Sequence, residues 1–276
     1  MQTKIVNTIL MAAIALSFVL AAYLIDKHVF GGAESRAEVI FLDVGQGDAT
    51  LVQKGRMQIL VDGGDGQEIL NRLGEEMPFT DRSIDLVVVT HPDEDHMGGL
   101  IKVLENYRVD MIMETGITCE KDICEKWEDL IDRGNIPVTR AKMGENVRYG
   151  EAIDIWVLYP FTDVSGKEYK ETNESSIVLK ADIEGREFLF TGDTEDETEK
   201  EMIRSNLDLD ADVLKVSHHG SKNSTSAAFL QEITPEEAVI SVGENSYGHP
   251  TEEALNRLKN MGVDILRTDE KGSIRF

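Results

Sequence analysis

Four apolar runs in this chain each end in side chains that can bind a metal ion. Gln58-Ile-Leu-Val61 is followed by Asp62-Gly-Gly64, and Leu86-Val-Val-Val89 by Thr90 and His91. Glu187–Phe190 is followed by Thr191-Gly-Asp193, and Val213-Leu-Lys-Val216 by Ser217-His-His219. Short β-branched runs bounded by polar residues read as buried strands. Open α/β sheets place their sites where such strands end. This pattern restricts the chain to folds that bring several strand ends together.

The densest segment is His91-Pro-Asp-Glu-Asp-His96. Its carboxylates repel one another unless a cation neutralises them. Imidazole nitrogen beside carboxylate oxygen is a ligand set for Zn, Mn or Fe.

From Ala37 onward, strand-like runs alternate with helical patterns, which predicts α/β packing. Strands are expected at Val39–Leu42, Ala49–Gln53, Gln58–Val61, Leu86–Val89, Met111–Met113, Ile153–Leu158, Ser176–Ala181, Glu187–Phe190, Val213–Val216, Ala238–Val242 and Asp264–Arg267. Helices are expected at Leu100–Asn106, Cys124–Arg133, Glu195–Asn206, Ala227–Ile233 and Glu252–Met261. Thr194 and Glu197 form a capping-box pattern for the third of these helices.

Residues 1–30 form a separate unit. The run from Ile5 to Ile25 is interrupted only by Asn7, Thr8 and Ser17. It is long enough to cross a bilayer core of about 30 Å at ~1.5 Å per residue. Lys4 and the amino terminus place positive charge on its near side. This predicts a single-pass anchor in the cell membrane with the rest of the chain outside the cytoplasm. A cleaved signal peptide, giving a secreted protein, is the rival reading. Residues 31–36 read as a linker and 37–276 as one catalytic domain. Outside the cytoplasm, Cys119 and Cys124 can close a small disulfide loop or remain separate thiols.

Composition limits the partners. The chain carries 52 acidic and 28 basic residues, a formal net charge of −24, and is 41% hydrophobic. A wide basic track for nucleic acid is not expected. A local track could still be built from Lys215, Lys222, Arg257, Arg267, Lys271 and Arg275, and it would separate a nuclease from a hydrolase of smaller esters.

Asp62-Gly-Gly64, the His-x-Asp-x-Asp-His segment, Thr191-Gly-Asp193 and His218 stand in the order of the metallo-β-lactamase superfamily motifs. Adding Phe41-Leu-Asp-Val-Gly-Gln-Gly-Asp48, Asn173 through Leu179, His218-His-Gly-Ser221 and Tyr247-Gly-His-Pro250, the chain resembles the lactamase-like domain of ComEC, a DNA-uptake channel protein. The resemblance spans about Glu38 to Phe276. It implies a four-layer αββα sandwich, here preceded by the transmembrane helix, with a two-metal site along one sheet edge.

The resemblance implies His91, Asp93 and Asp193 as ligands of one metal, and Asp95, His96, Asp193 and His218 as ligands of the other. Asp193 would bridge them. Asp95, Asp193 and His249 are the implied catalytic residues, with His249 contacting the phosphate or protonating the leaving oxygen. Asp62 would orient ligand histidines. Asn173, Lys215, His219 and Ser221 are supporting or substrate-contacting candidates. For Lys215 a plain carboxylate pair is the alternative, and for Asn173 a turn. Asp43 and Asp48 flank Gly45-Gln-Gly47, either in a structural turn or where substrate approaches.

The sequence departs from the superfamily in two places. Asp93 replaces the usual second histidine, and no histidine lies between His96 and His218. Asp93 adds hard oxygen, which shifts the expected pair of divalent ions from Zn²⁺ slightly toward Mn²⁺. The channel's other membrane segments are missing, so one span cannot make a DNA pore. The expected function is metal-dependent phosphodiester hydrolysis by an extracytoplasmic DNA nuclease connected with competence and DNA uptake. Hydrolysis of a small ester or nucleotide is one alternative. A non-catalytic partner of a DNA-uptake machine is another. Nothing specific supports β-lactam hydrolysis.

Overall fold

The computed structural model describes residues 36–276 together with Met11, Ile14, Leu16, Ser17, Leu20 and Ala21. The expected span Ile5–Ile25 and linker residues 31–35 lie outside the described residues, apart from those isolated positions. Among the described residues, no helix is long and apolar enough to cross a membrane.

In chain order the first strands are β1 (Glu38–Phe41), β2 (Thr50–Lys54), β3 (Met57–Val61), β4 (Ser83–Ile84) and β5 (Leu86–Val88). They are followed by β6 (Arg108–Val109), β7 (Ile112–Glu114), β8 (Val138–Arg140), β9 (Asn146–Tyr149) and β10 (Ile153–Tyr159). The last are β11 (Val178–Ile183), β12 (Arg186–Phe190), β13 (Val213–Lys215), β14 (Glu237–Ile240), β15 (Asp264–Arg267) and β16 (Ile274–Arg275). The helices are α1 (Glu68–Glu76), α2 (Glu94–Asn106), α3 (Asp122–Gly134), α4 (Asp196–Arg204), α5 (Ala227–Ile233), α6 (Glu252–Asn260) and the single turn α7 (Thr268–Lys271).

Two seven-stranded sheets form the centre, in the orders β16-β1-β2-β3-β5-β7-β8 and β15-β14-β13-β12-β11-β10-β9. Each combines an antiparallel meander with a parallel half. β3, β5, β7 and β8 run parallel in the first sheet, and β12 through β15 in the second. β4 and β6 form a small separate pair.

Strand alternation builds three cores at once. Val39, Phe41, Ile59, Val61, Phe188 and Phe190 point into the layer between the sheets, where Ile155, Val157 and Leu179 meet them. Ile40, Leu51, Leu60 and Val87 point the other way, against Ile69, Leu73, Leu100 and Trp127 of α1, α2 and α3. Leu189, Leu214 and Ala238 do the same on the second sheet, against Met202, Phe229, Leu230 and Leu258 of α4, α5 and α6. The result is the expected αββα order. Because both faces of each sheet are covered, the central strands read as continuous apolar runs rather than alternating ones.

The structure corrects several boundaries. Helix α2 begins at Glu94, so His96 lies in its first turn rather than in a loop before a helix at Leu100. Thr194 does not cap α4: Glu195 precedes the first helical residue, and the Thr194 hydroxyl pairs with Ser217 Oγ at 3.2 Å. β8, β9 and β16 lack the apolar run that marks the interior strands, and α1 was also not predicted. Cys119 and Cys124 are joined in a disulfide.

Candidate metal centre

Both parallel half-sheets release their chains at the same edge of the sandwich. Asp62 leaves β3, His91 leaves β5, Asp193 leaves β12, and Ser217–His219 leave β13. The loop Asp43–Asp48 after β1 closes over the same edge. There the Asp48 N–H donates to the Asp95 carbonyl at 3.1 Å. A Cβ on Gly47, whose φ is +119°, would lie 2.2 Å from that carbonyl oxygen, so only glycine allows this approach.

Asp62 is buried with a left-handed φ of 57°. Its carboxylate accepts the Thr90 N–H at 2.8 Å and the Thr90 hydroxyl at 2.7 Å. It also lies 2.9 Å from His96 Nδ1. His96 is thereby held by one nitrogen and presents the other, Nε2, to the edge. Carboxylates commonly orient metal-binding histidines in this way.

Nε2 of His96 is 3.2 Å from Asp193 Oδ1 and 4.0 Å from Asp95 Oδ1. His219 Nε2 lies 3.1 Å from Asp95 Oδ2 and 3.6 Å from Asp193 Oδ2. The other nitrogen of His219 faces the Ser241 carbonyl at 2.8 Å and Asp48 Oδ1 at 3.3 Å. The His91 and His96 rings are 4.1 Å apart. Four groups of potential ligands overlap at this edge: His91, His96 and Asp193; Asp95, His96 and His219; Asp48, Asp62 and His96; and Asp48, Asp193 and His219.

A metal ion fits this donor set. His91 Nε2, His96 Nε2 and Asp193 Oδ1 are buried and make no well-formed hydrogen bond, although His96 Nε2 and Asp193 Oδ1 face each other at 3.2 Å. Buried polar atoms are rarely left so, and these three converge within 4.8 Å.

Electrostatics lead to the same conclusion. Burial opposes charge on His219, but Asp193 and Asp48 outweigh it and lift its pKa to about 10. Burial likewise opposes charge on His96, and Asp193 and Asp62 raise it well above the ordinary histidine range. Asp193 goes the other way. Burial favours its neutral form, yet His96 and His219 hold it well below the usual carboxylate range. Asp95 falls to about 2, against its own burial, through His219 and His96. The carboxylates thus demand positive charge, which a divalent ion can supply in place of protons.

Two sequence-derived ligands stand apart from these groups. Asp93 Oδ1 is taken up by Lys121 Nζ and the Thr172 hydroxyl, each at 2.5 Å. Its Oδ2 remains 3.6 Å from His91 Nε2. His218 turns Nδ1 toward Glu195 Oε1 at 3.0 Å and Asn173 Nδ2 at 3.3 Å, and its Nε2 is 3.8 Å from Asp193 Oδ2. His219, not His218, therefore joins Asp95 and His96. The cause is local: both residues have left-handed φ, 48° and 50°, and this turn aims His219 inward.

Of the supporting candidates, Asn173 braces His218, and Ser221 Oγ accepts the Asn223 N–H at 3.3 Å. Lys215 is buried in β13 and pairs with Asp48 Oδ2 at 2.5 Å. His249 stands 5.3 Å from the His218 ring with its Nδ1 buried and unpartnered. Of the six residues proposed for a basic track, Lys215 and three arginines are held by internal partners, while Lys222 and Lys271 are exposed. Arg257 donates to the carbonyls of Ser221, Lys222, Ser224 and Thr225, Arg267 pairs with Asp269 and Glu270, and Arg275 pairs with Glu38 and Glu76. Asp48, Thr90 and Lys121 are site residues that sequence reasoning did not select. Gly47-Asp48 was the available signal for the first.

Comparison with known proteins places this geometry. The chain is 32% identical over 265 residues to ComE operon protein 3 of Bacillus subtilis, covering 88% of this chain and 33% of that protein. It is 30% identical over 249 residues to competence protein ComA of Neisseria gonorrhoeae, covering 88% and 32%. It thus spans about a third of the length of these curated relatives. Among solved structures, the metallo-beta-lactamase fold protein YhfI of Bacillus subtilis superposes with a TM-score of 0.58 at 12% identity, covering 87% of this chain and 99% of YhfI. The sequence profile of the metallo-beta-lactamase superfamily matches residues 42–244, across both sheets and every strand end that carries a ligand candidate, and the chain belongs to that superfamily.

Proposed function

We propose that this chain is a metal-dependent phosphodiester hydrolase whose substrate is DNA and whose catalytic domain works outside the cytoplasm. The observation that carries the chemistry is the convergence of His91, His96 and Asp193, whose Nε2, Nε2 and Oδ1 atoms are buried without a well-formed hydrogen bond. The names of its relatives, a competence protein among them, support DNA as the substrate.

His91, His96 and Asp193 would hold one divalent ion, and Asp95, His96 or Asp193, and His219 a second. Paired ions supply a nucleophilic hydroxide and stabilise the entering and leaving oxygens of a phosphodiester. The chain's own groups do the rest. Asp62 fixes the His96 tautomer. Lys215 neutralises Asp48 beneath His219. Burial, with His218 and His219 nearby, lowers the pKa of His249. A neutral His249 suits hydrogen bonding to a phosphate oxygen better than delivery of a proton to the leaving group. The preference for Mn²⁺ depended on oxygen from Asp93; Lys121 and Thr172 occupy its Oδ1 while its Oδ2 still faces His91 Nε2 at 3.6 Å, and Mn²⁺ and Zn²⁺ are both proposed.

The extracytoplasmic, membrane-anchored location rests on the Ile5–Ile25 run behind Lys4 and on the Cys119–Cys124 disulfide, which suits an oxidising compartment. A second reading, hydrolysis of a small phosphoester, is favoured by one observation: Lys215, Arg257, Arg267 and Arg275 are committed to internal partners, which leaves Lys222 and Lys271 as the exposed lysines of the expected track.

The test strips the chain of metal with chelator and restores Mn²⁺ or Zn²⁺. Cleavage is then followed on single-stranded DNA, duplex DNA and bis(4-nitrophenyl) phosphate. Metal-restored DNA cleavage is expected. Hydrolysis of the small ester alone selects the second reading, and hydrolysis of neither overturns both.

A further inference from the structure

An acidic protein with four of its six candidate track residues held internally still needs a hold on its nucleic acid. We propose that Tyr247 is that hold: a positioning residue whose ring stacks on a nucleobase of single-stranded DNA beside the metal centre. The proposal rests on the phosphodiesterase reading above and adds the part of the substrate that this chain recognises.

Tyr247 leaves 72% of its surface exposed. Its ring centre is 5.9 Å from that of His249, with planes tilted by 30°. His249 in turn lies 5.3 Å from His218, and His218 lies 6.2 Å from His219, which joins Asp95 at the metal centre. Tyr247 thus stands at the outer end of a continuous row of rings that starts at the candidate ligands.

The ring is exposed, but its backbone is fixed. Asn245 Oδ1 accepts the N–H groups of Tyr247, Gly248 and His249 at 3.1, 2.9 and 3.1 Å. Asn245 Nδ2 donates to the carbonyls of Gly243 and His249 at 2.9 and 2.8 Å. One side chain therefore pins the whole turn. A rigid, exposed aromatic ring loses little entropy when a flat partner covers it. Nothing in the fold requires that ring on the surface, since its N–H bond to Asn245 is made by the backbone.

The chemistry favours a base over a phosphate. Phosphate contacts need unpaired Lys or Arg and weaken steeply with salt. Stacking needs only a π face, tolerates any base, and contributes on the order of tenfold in affinity per base. It is the contact that remains where Arg257, Arg267 and Arg275 are internally paired. The site would therefore prefer single strands, whose bases are free to leave their neighbours.

The test measures equilibrium binding of a fluorescein-labelled single-stranded oligonucleotide and of an abasic strand of equal length, using the 276-residue chain and its Tyr247→Ala and Tyr247→Trp variants. Wild-type protein should bind the base-bearing strand about tenfold more tightly, with a preference that persists from 50 to 200 mM salt. Tyr247→Ala should abolish the difference, and Tyr247→Trp should keep it. In metal-restored cleavage, Tyr247→Ala should raise KM on the oligonucleotide more than it lowers kcat, and Tyr247→Trp should restore KM. Equal preference in wild type and Tyr247→Ala, or no binding of either strand, overturns the proposal. Base-dependent binding without cleavage overturns the hydrolase reading and leaves the role of Tyr247 standing.

Discussion

Asp62 Oδ2 lies 2.9 Å from His96 Nδ1, and this single contact decides which nitrogen of His96 faces Asp193. The same carboxylate takes both the backbone and the hydroxyl of Thr90, the residue before His91. One buried side chain therefore braces His96 directly and His91 through its neighbour Thr90. Asp62→Ala should keep the fold and lower metal affinity by about 10–100-fold. Competition against a fluorescent chelator measures this, and unchanged affinity would remove Asp62 from the account.

Adjacent histidines offer a sharper contrast. His219 Nε2 reaches Asp95 at 3.1 Å, while His218 is held by Glu195 and Asn173. His219→Ala should therefore lose more metal affinity than His218→Ala, by at least about tenfold, the range seen for perturbed metal sites. Metal content after dialysis reads both variants, and the reverse order would restore His218 as the ligand.

Acidity should act oppositely on the metal-free and metal-loaded protein. His219 titrates near 10 in the fold, above its ordinary 6.5. A raised histidine pKa contributes stability that is complete below about 6.5 and lost as pH rises through about 10. The chelated protein should thus melt at progressively lower temperature from pH 6.5 to 10. Metal binding requires the deprotonated ring, so the loaded protein should gain affinity over the same range and release protons on binding. Calorimetry in buffers of different ionisation enthalpy counts those protons. A flat melting curve for the chelated protein would contradict the assignment.

Lys215 and Asp48 form a buried pair, both nearly inaccessible to solvent. Removing one partner of such a pair leaves an uncompensated charge and costs about 3–5 kcal/mol. Lys215→Met should destabilise the domain by that order in urea. Adding Asp48→Asn should recover much of the loss, because the stranded charge disappears. Additive losses in the double variant would show that the pair is not coupled.

The strand ends were legible because buried strands advertise themselves as apolar runs, and Asp62, His91 and Asp193 follow such runs directly. The four-layer order was legible for the same reason. The approach of His219 to Asp95 was not, since it depends on two consecutive left-handed residues that neither histidine announces. Asp48 was read as part of a structural turn or of a substrate approach, and its role beside the histidines was not legible because its partners Lys215 and His219 are far away in sequence. β8 is partly exposed and β16 very short, so neither carries a periodic signal. The Thr194 capping pattern failed because its hydroxyl found Ser217 instead. Asp93, the most distinctive departure in the motif, is engaged by Lys121 from a disulfide-closed loop that sequence spacing could not orient.

The most direct test of a metal-dependent phosphodiesterase compares wild type with Asp193→Ala, purified in parallel and supplied with Mn²⁺ or Zn²⁺, on single-stranded DNA. Asp193 contacts both His96 and His219, so its loss should reduce cleavage to the level of a chelator-treated control. Cleavage by Asp193→Ala at the wild-type rate would contradict the account, because the activity would then belong to another site or another protein.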